Sequence, residues 1–152
     1  MRNVGFCNYL MYEEENLMRK LFGTVSFYGI LGLLLGVFYR EYTKLSGFEG
    51  VTALGRLHTH ALALGLLFFL ILVVLEKNFS ISDKKYFKMF YPVYNIGLLG
   101  LLATLTLRGI LDINGSIMNG LNHIAGTFHF ILGVGFLLFL MNLNQALKSE
   151  YR

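Results

Sequence analysis

Four apolar runs, each bounded by charged or polar residues, divide the chain. They cover roughly residues 21–39, 52–75, 91–111 and 118–141. Each run is close to the ~20 apolar residues that a helix needs to cross a bilayer. The pattern therefore predicts an all-α fold, an integral membrane four-helix bundle whose helices we call spans 1 to 4. Pro92, the only proline, is expected to start or kink span 3.

Composition agrees with a membrane protein and leaves no room for a separate soluble domain. Hydrophobic residues make up 55% of the chain and charged residues only 14%. Residues 18–147 are expected to form one transmembrane domain, followed by a short polar tail, residues 148–152. Residues 1–17 are polar and are expected to be disordered or to lie upstream of the true start. The single Cys7 cannot form an intrachain disulfide.

Basic residues predict how the helices are oriented. Nine of the 13 Lys and Arg residues lie in the N-terminal tail, the loop between spans 2 and 3 and the C-terminal tail. The other four lie on the opposite side of the membrane: Arg40, Lys44, Arg56 and Arg108. Because basic loops stay in the cytoplasm, both termini are expected there, in the cell membrane. The net charge of +4 then reflects topology and predicts no nucleic-acid partner.

All four histidines lie near the outer ends of spans 2 and 4. His58 and His60 open the run Gly55–Gly65, and His123 and His129 lie in the run Asn122–Phe130. Ionisable side chains are costly inside a membrane, so they mark candidate functional sites.

Helical geometry singles out one histidine on each span. His58 lies roughly 6 residues, about 9 Å, into span 2, and His129 roughly 10 residues, about 15 Å, into span 4. The two depths agree within the error of the predicted helix ends. His60 is about 200° round the helix from His58, and His123 is about 120° from His129. Small residues one or two turns away from His58 and His129 should leave clearance for a flat macrocycle: Gly55, Ala61 and Gly65 on span 2, Ala125, Gly126 and Gly133 on span 4.

The donor set favours haem over a bare metal ion. Zinc or copper needs three or four converging ligands, and no acidic residue or cysteine lies near these histidines within the spans. Haem needs only two axial ligands and an apolar slot. We therefore predict haem b, one per chain or shared in an oligomer, with His58 and His129 as axial ligands of the iron. His60 and His123 are a possible second site.

Two arginines complete the predicted site. Arg56 and Arg108 lie near the histidines and could pair with the haem propionates. The alternatives are structural: the arginines could extend to lipid headgroups, and the histidines could hydrogen-bond between helices.

Two short motifs resemble a known family. Arg56-Leu57-His58-Thr59 is similar to the second-helix motif of catalytic subunits of haem–copper oxidases and nitric oxide reductases, whose histidine ligates a low-spin haem. The stretch from Phe128 to Gly133 resembles their later helix, which carries the other ligand of that haem. The whole pattern also resembles a family of small four-helix bacterial membrane proteins related to that superfamily. The resemblance implies His58 and His129 as the axial pair.

The resemblance has limits that shape the expected function. The large subunits also hold a copper ion ligated by three histidines, whereas only His60 and His123 remain here after the axial pair. A bis-histidine haem has no open iron position, which suits electron transfer or haem and gas sensing. One alternative is a small homo-oligomeric oxidase-like, reductase-like or haem-modifying enzyme. Another is a haem-free transporter or scaffold subunit.

Partners are expected to lie in or at the membrane. They are lipid, a redox partner protein or a quinol, and further copies of the chain. Gly29, Gly32 and Gly36 form a stripe at helical spacing on span 1 that would let another helix approach closely.

Overall fold

The protein is a bundle of four long helices. A computed structural model describes the backbone of residues 2–150 and the side chains of residues 12 and 15–149. Helix α1 spans Arg2–Leu45, α2 spans Ala53–Phe79, α3 spans Phe87–Ile113 and α4 spans Leu121–Glu150. A short 3₁₀ turn, Ile81–Asp83, joins α2 to α3. The described residues contain no strand.

All four helices are long and apolar enough to cross a membrane, which confirms the predicted all-α, multi-pass fold. Each helix is longer than its predicted span, because polar residues at the membrane surface continue the helix. α3 begins at Phe87, so Pro92 lies inside the helix and does not start it. The helix α1 also extends back through residues 2–17, which precede the first predicted span. These residues contain one glycine and no proline, so nothing interrupts a helix that span 1 has already nucleated.

Glycines set the spacing between α1 and α2. A side-chain carbon added at Gly29 would lie 2.7 Å from Leu66, and one added at Gly32 would lie 2.6 Å from Leu62. One added at Gly36 would lie 3.6 Å from the Cβ atom of His58. The predicted glycine stripe therefore does admit a close helix, and that helix is α2 of the same chain.

The pair α3 and α4 packs through a second set of glycines. A carbon added at Gly97 would lie 2.6 Å from the backbone nitrogen of Leu132, and one added at Gly135 would lie 2.9 Å from the Cα atom of Tyr94. An aromatic core then fills the half of the bundle nearer the chain termini. In it, Phe68 of α2 stacks on Tyr94 at 4.3 Å between ring centroids and meets Phe139 of α4 edge-on at 5.1 Å.

Hydrogen bonds connect the start of α2 to the end of α3. The Thr52 hydroxyl donates to the Gly109 carbonyl at 2.8 Å, and the Asp112 carboxylate accepts from the Ala53 amide at 2.9 Å. These bonds hold the start of α2, which carries His58 and His60, against the end of α3.

Candidate functional site

An apolar cleft of about 640 Å³ lies beside His129 of α4. It opens between three helices, with Leu64 from α2, Tyr94 from α3, and His129, Gly133 and Phe136 from α4 among its lining residues. Its volume is within the range of sites that hold cofactors and other small ligands, which is roughly 300–1,000 Å³. The cleft thus offers an open apolar wall with one histidine side chain.

The ring of His129 is fixed in a state suited to bind a metal. Its Nδ1 atom lies 2.9 Å from the Ala125 carbonyl oxygen, one turn earlier in α4. A carbonyl can only accept a hydrogen bond, so the proton is on Nδ1 and Nε2 carries the lone pair. Metal-ligating histidines are commonly oriented by such a bond from the other ring nitrogen. His129 can therefore ligate iron through Nε2 without changing its tautomer.

The clearance expected on span 4 is present. A side-chain carbon added at Gly126 or Gly133 would meet nothing within 4 Å, and Gly133 is part of the cleft wall. A flat group bound at His129 would meet no side chain at these two positions.

The clearance expected on span 2 is filled by α1. A side-chain carbon at Gly65 would overlap the ring of Tyr28, and Ala61 is buried. The Cβ atom of His58 faces Gly36, its Nδ1 is buried without a hydrogen-bond partner, and its Nε2 lies 3.5 Å from the Thr59 hydroxyl. Neither His58 nor His60 is among the residues that line the cleft. Sequence spacing could not reveal this, because it does not tell which neighbour packs on the small residues.

The remaining polar residues lie at the end of the bundle opposite the chain termini. Arg108 donates to the side-chain oxygen of Asn122 at 3.0 Å, which links α3 to α4, and the side chain of Arg56 is exposed. His123 is exposed one and a half turns outside His129. Within residues 12 and 15–149, no three His, Cys, Asp or Glu side chains converge.

Two features beside the cleft have no signal in the sequence pattern. Residues Ala61–Leu67 form a π-helix immediately after His60. The hydroxyl of Tyr94 donates to the Leu64 carbonyl inside this segment at 2.9 Å. Short π-helical segments are often found at functional sites because they turn the residues on either side relative to one another. The sequence does show Tyr94 in the middle of an apolar span, but this position alone predicts neither the π-helix nor the hydrogen bond.

Comparison with known proteins identifies the family. A family model described as "Protein of unknown function (DUF2871)" matches residues 18–146, so the chain belongs to this family. The match begins at Met18, just before the first predicted span. No curated protein and no solved structure shows significant similarity to the chain.

Proposed function

We propose that this DUF2871 protein is a membrane b-type haem protein that holds one bis-histidine haem between spans 2 and 4. The iron would supply one-electron redox chemistry, and the protein would act in electron transfer or in haem or gas sensing. The observation that carries the proposal is His129: an Nε2 lone pair in an apolar cleft, beside two glycines that leave open space.

Individual residues of the chain would have separate roles in binding the haem. His129 would be the ligand on span 4, and a histidine of span 2, predicted from the sequence to be His58, would be the other. Gly126 and Gly133 give the macrocycle clearance on span 4, as Gly65 was expected to do on span 2. Arg56 and Arg108 neutralise the propionates at the outer end by charge-assisted hydrogen bonds. The apolar walls exclude water, which keeps the ligands in place and tunes the reduction potential.

Purification of the full chain in detergent, followed by an absorption spectrum and iron analysis, tests the proposal. We expect a low-spin b-type spectrum that is lost in His129→Ala. The matched control is His123→Ala, which removes the neighbouring histidine of the same helix and should keep the spectrum. A colourless, iron-free wild-type protein would contradict the proposal and favour a haem-free transporter or scaffold subunit.

Carbon monoxide separates electron transfer from an enzymatic role. A six-coordinate haem does not bind it, so the reduced spectrum should not change. A shifted spectrum would indicate an open iron position and favour an oxidase-like, reductase-like or haem-modifying enzyme. In that case, an oligomer that brought His60 and His123 of several chains together could form a second metal site.

The surroundings of the protein follow from the same proposal. It would lie in the cell membrane with both termini in the cytoplasm, as a homo-oligomer in contact with lipid. Its electrons would come from or go to a redox partner protein or a quinol that approaches at the membrane surface.

A further inference from the structure

We infer that His60, and not His58, is the span 2 side chain that faces His129 and ligates the haem. The inference rests on the proposed function and names a residue of that same site. It follows from two helix faces, two hydrogen bonds and the depth of the cleft.

The face of α2 that carries His58 is occupied by α1. His58, Leu62 and Leu66 are spaced by four residues, so they share one side of the helix. Each of them packs against one glycine of α1, namely Gly36, Gly32 and Gly29 in that order. The His58 side chain therefore leaves α2 toward α1, away from α4.

The face of α2 that carries His60 points toward α4. His60, Leu64 and Phe68 are also spaced by four residues. Leu64 lines the cleft together with His129, and Phe68 contacts Phe136 of α4 at 5.8 Å between ring centroids. Four residues are about one turn in the π-helix Ala61–Leu67, as they are in an α-helix, so Leu64 and Phe68 place His60 on the cleft side.

The ring of His60 has the same preset tautomer as that of His129. Its Nδ1 lies 2.8 Å from the Arg56 carbonyl, one turn earlier, and this oxygen can only accept. Nε2 therefore carries the lone pair, as in His129, whose Nδ1 donates to Ala125. In His58, by contrast, Nδ1 is buried without a partner and nothing fixes the tautomer.

Depth also favours His60. Leu64 marks the level of the cleft on α2, and His60 lies one turn outside it, whereas His58 lies two residues further out. Two axial ligands of one haem bind the same iron, so the histidine nearer the cleft needs less movement to reach it.

Paired glycine variants with added imidazole test the inference in the full chain. His60→Gly should lose the low-spin spectrum of the wild-type protein and regain it when imidazole occupies the vacated space. His58→Gly, the matched control two residues away, should keep the spectrum without imidazole. Loss and imidazole rescue in His58→Gly with an unchanged His60→Gly would overturn the inference while leaving a bis-histidine haem in place. Unchanged spectra in both variants would also overturn it.

Methionine variants decide the case in which both glycine variants lose haem. Histidine–methionine ligation keeps haem low-spin and raises its midpoint potential. His60→Met should therefore bind haem at a higher potential than the wild-type protein, and His58→Met should not. A raised potential in His58→Met, or in neither variant, would overturn the inference. A wild-type protein without haem would instead refute the proposed function on which it rests.

Discussion

At the scale of single residues, the cleft depends on a glycine without a side chain beside His129. Gly133 lines the cleft, and a side-chain carbon there would meet nothing within 4 Å. The sequence predicted this clearance on α4 from spacing alone. It predicted the same at Gly65 of α2, where the ring of Tyr28 fills the space. Small residues show where a neighbour can approach, but they do not show whether the neighbour is a cofactor or a helix.

Gly133→Leu should therefore empty the site without harming the fold. The added side chain fills cleft space that the haem would need, and crowding of about 1–3 kcal/mol corresponds to a loss of haem affinity of about 5- to 150-fold. Haem titration of the purified variant measures this loss. Gly23→Leu is the control, because it adds the same side chain at a position that also has nothing within 4 Å, far from the cleft. Equal haem affinity in both variants would argue against this cleft as the haem site.

At the scale of helices, the bundle consists of two closely packed pairs whose glycines meet different kinds of atom. In the α1 and α2 pair, carbons added at Gly29 and Gly32 would meet leucine side chains, which can move. In the α3 and α4 pair, Gly97 faces the backbone of Leu132 at 2.6 Å, and a backbone cannot move without separating the helices. The second contact is therefore the more sensitive of the two.

Gly97→Ala should destabilise the protein by about 1–3 kcal/mol, because one methyl group forces α3 and α4 apart. Thermal unfolding in detergent should show a lower midpoint than for the wild-type protein. Gly126→Ala is the matched control on α4, and with open space around it the change should stay within about 0.5 kcal/mol. If the Gly97→Ala protein were as stable as this control, the close contact between Gly97 and Leu132 would not contribute to stability.

The helices themselves were predictable, whereas the faces they present were not. Four apolar runs of membrane length fix the number and order of the spans. The direction of each histidine depends on the π-helix Ala61–Leu67 and on the packing of α1 against α2. A helical wheel for a regular α-helix includes neither the π-helix nor the packing of α1, so on that wheel His58 looked as suitable a haem ligand as His129. The tautomers of His60 and His129 likewise depend on local carbonyl groups that no spacing rule reports.

At the scale of the whole molecule, the charge distribution predicts the orientation. Nine of the 13 basic residues lie on the side of the termini. A fluorescent reporter fused after Arg152 should be active in the cytoplasm, and a phosphatase reporter in the loop after Gly47 should be active only outside. The reverse pattern would place the histidine-bearing ends of α2 and α4 in the cytoplasm and move the proposed haem to the inner face.

The uneven burial of the helices bears on assembly. In α4, only 11% of the most apolar window is buried within the chain, compared with 33% in α2 and in α3. The glycine stripe of α1 is already used by α2, so α4 is the helix that we expect to contact further copies. Native mass spectrometry in mild detergent should show a homo-oligomer. A monomer at micromolar concentration would mean that lipid alone covers α4.

Electron paramagnetic resonance of the oxidised protein tests the central claim most directly, because it reports the ligands of the iron and not only its presence. Our expectation is a low-spin ferric signal of the kind given by two imidazole ligands. This signal should be present in the wild-type protein and in His123→Ala and absent from His129→Ala. A high-spin signal in the wild-type protein, or a low-spin signal that survives in His129→Ala, would contradict it.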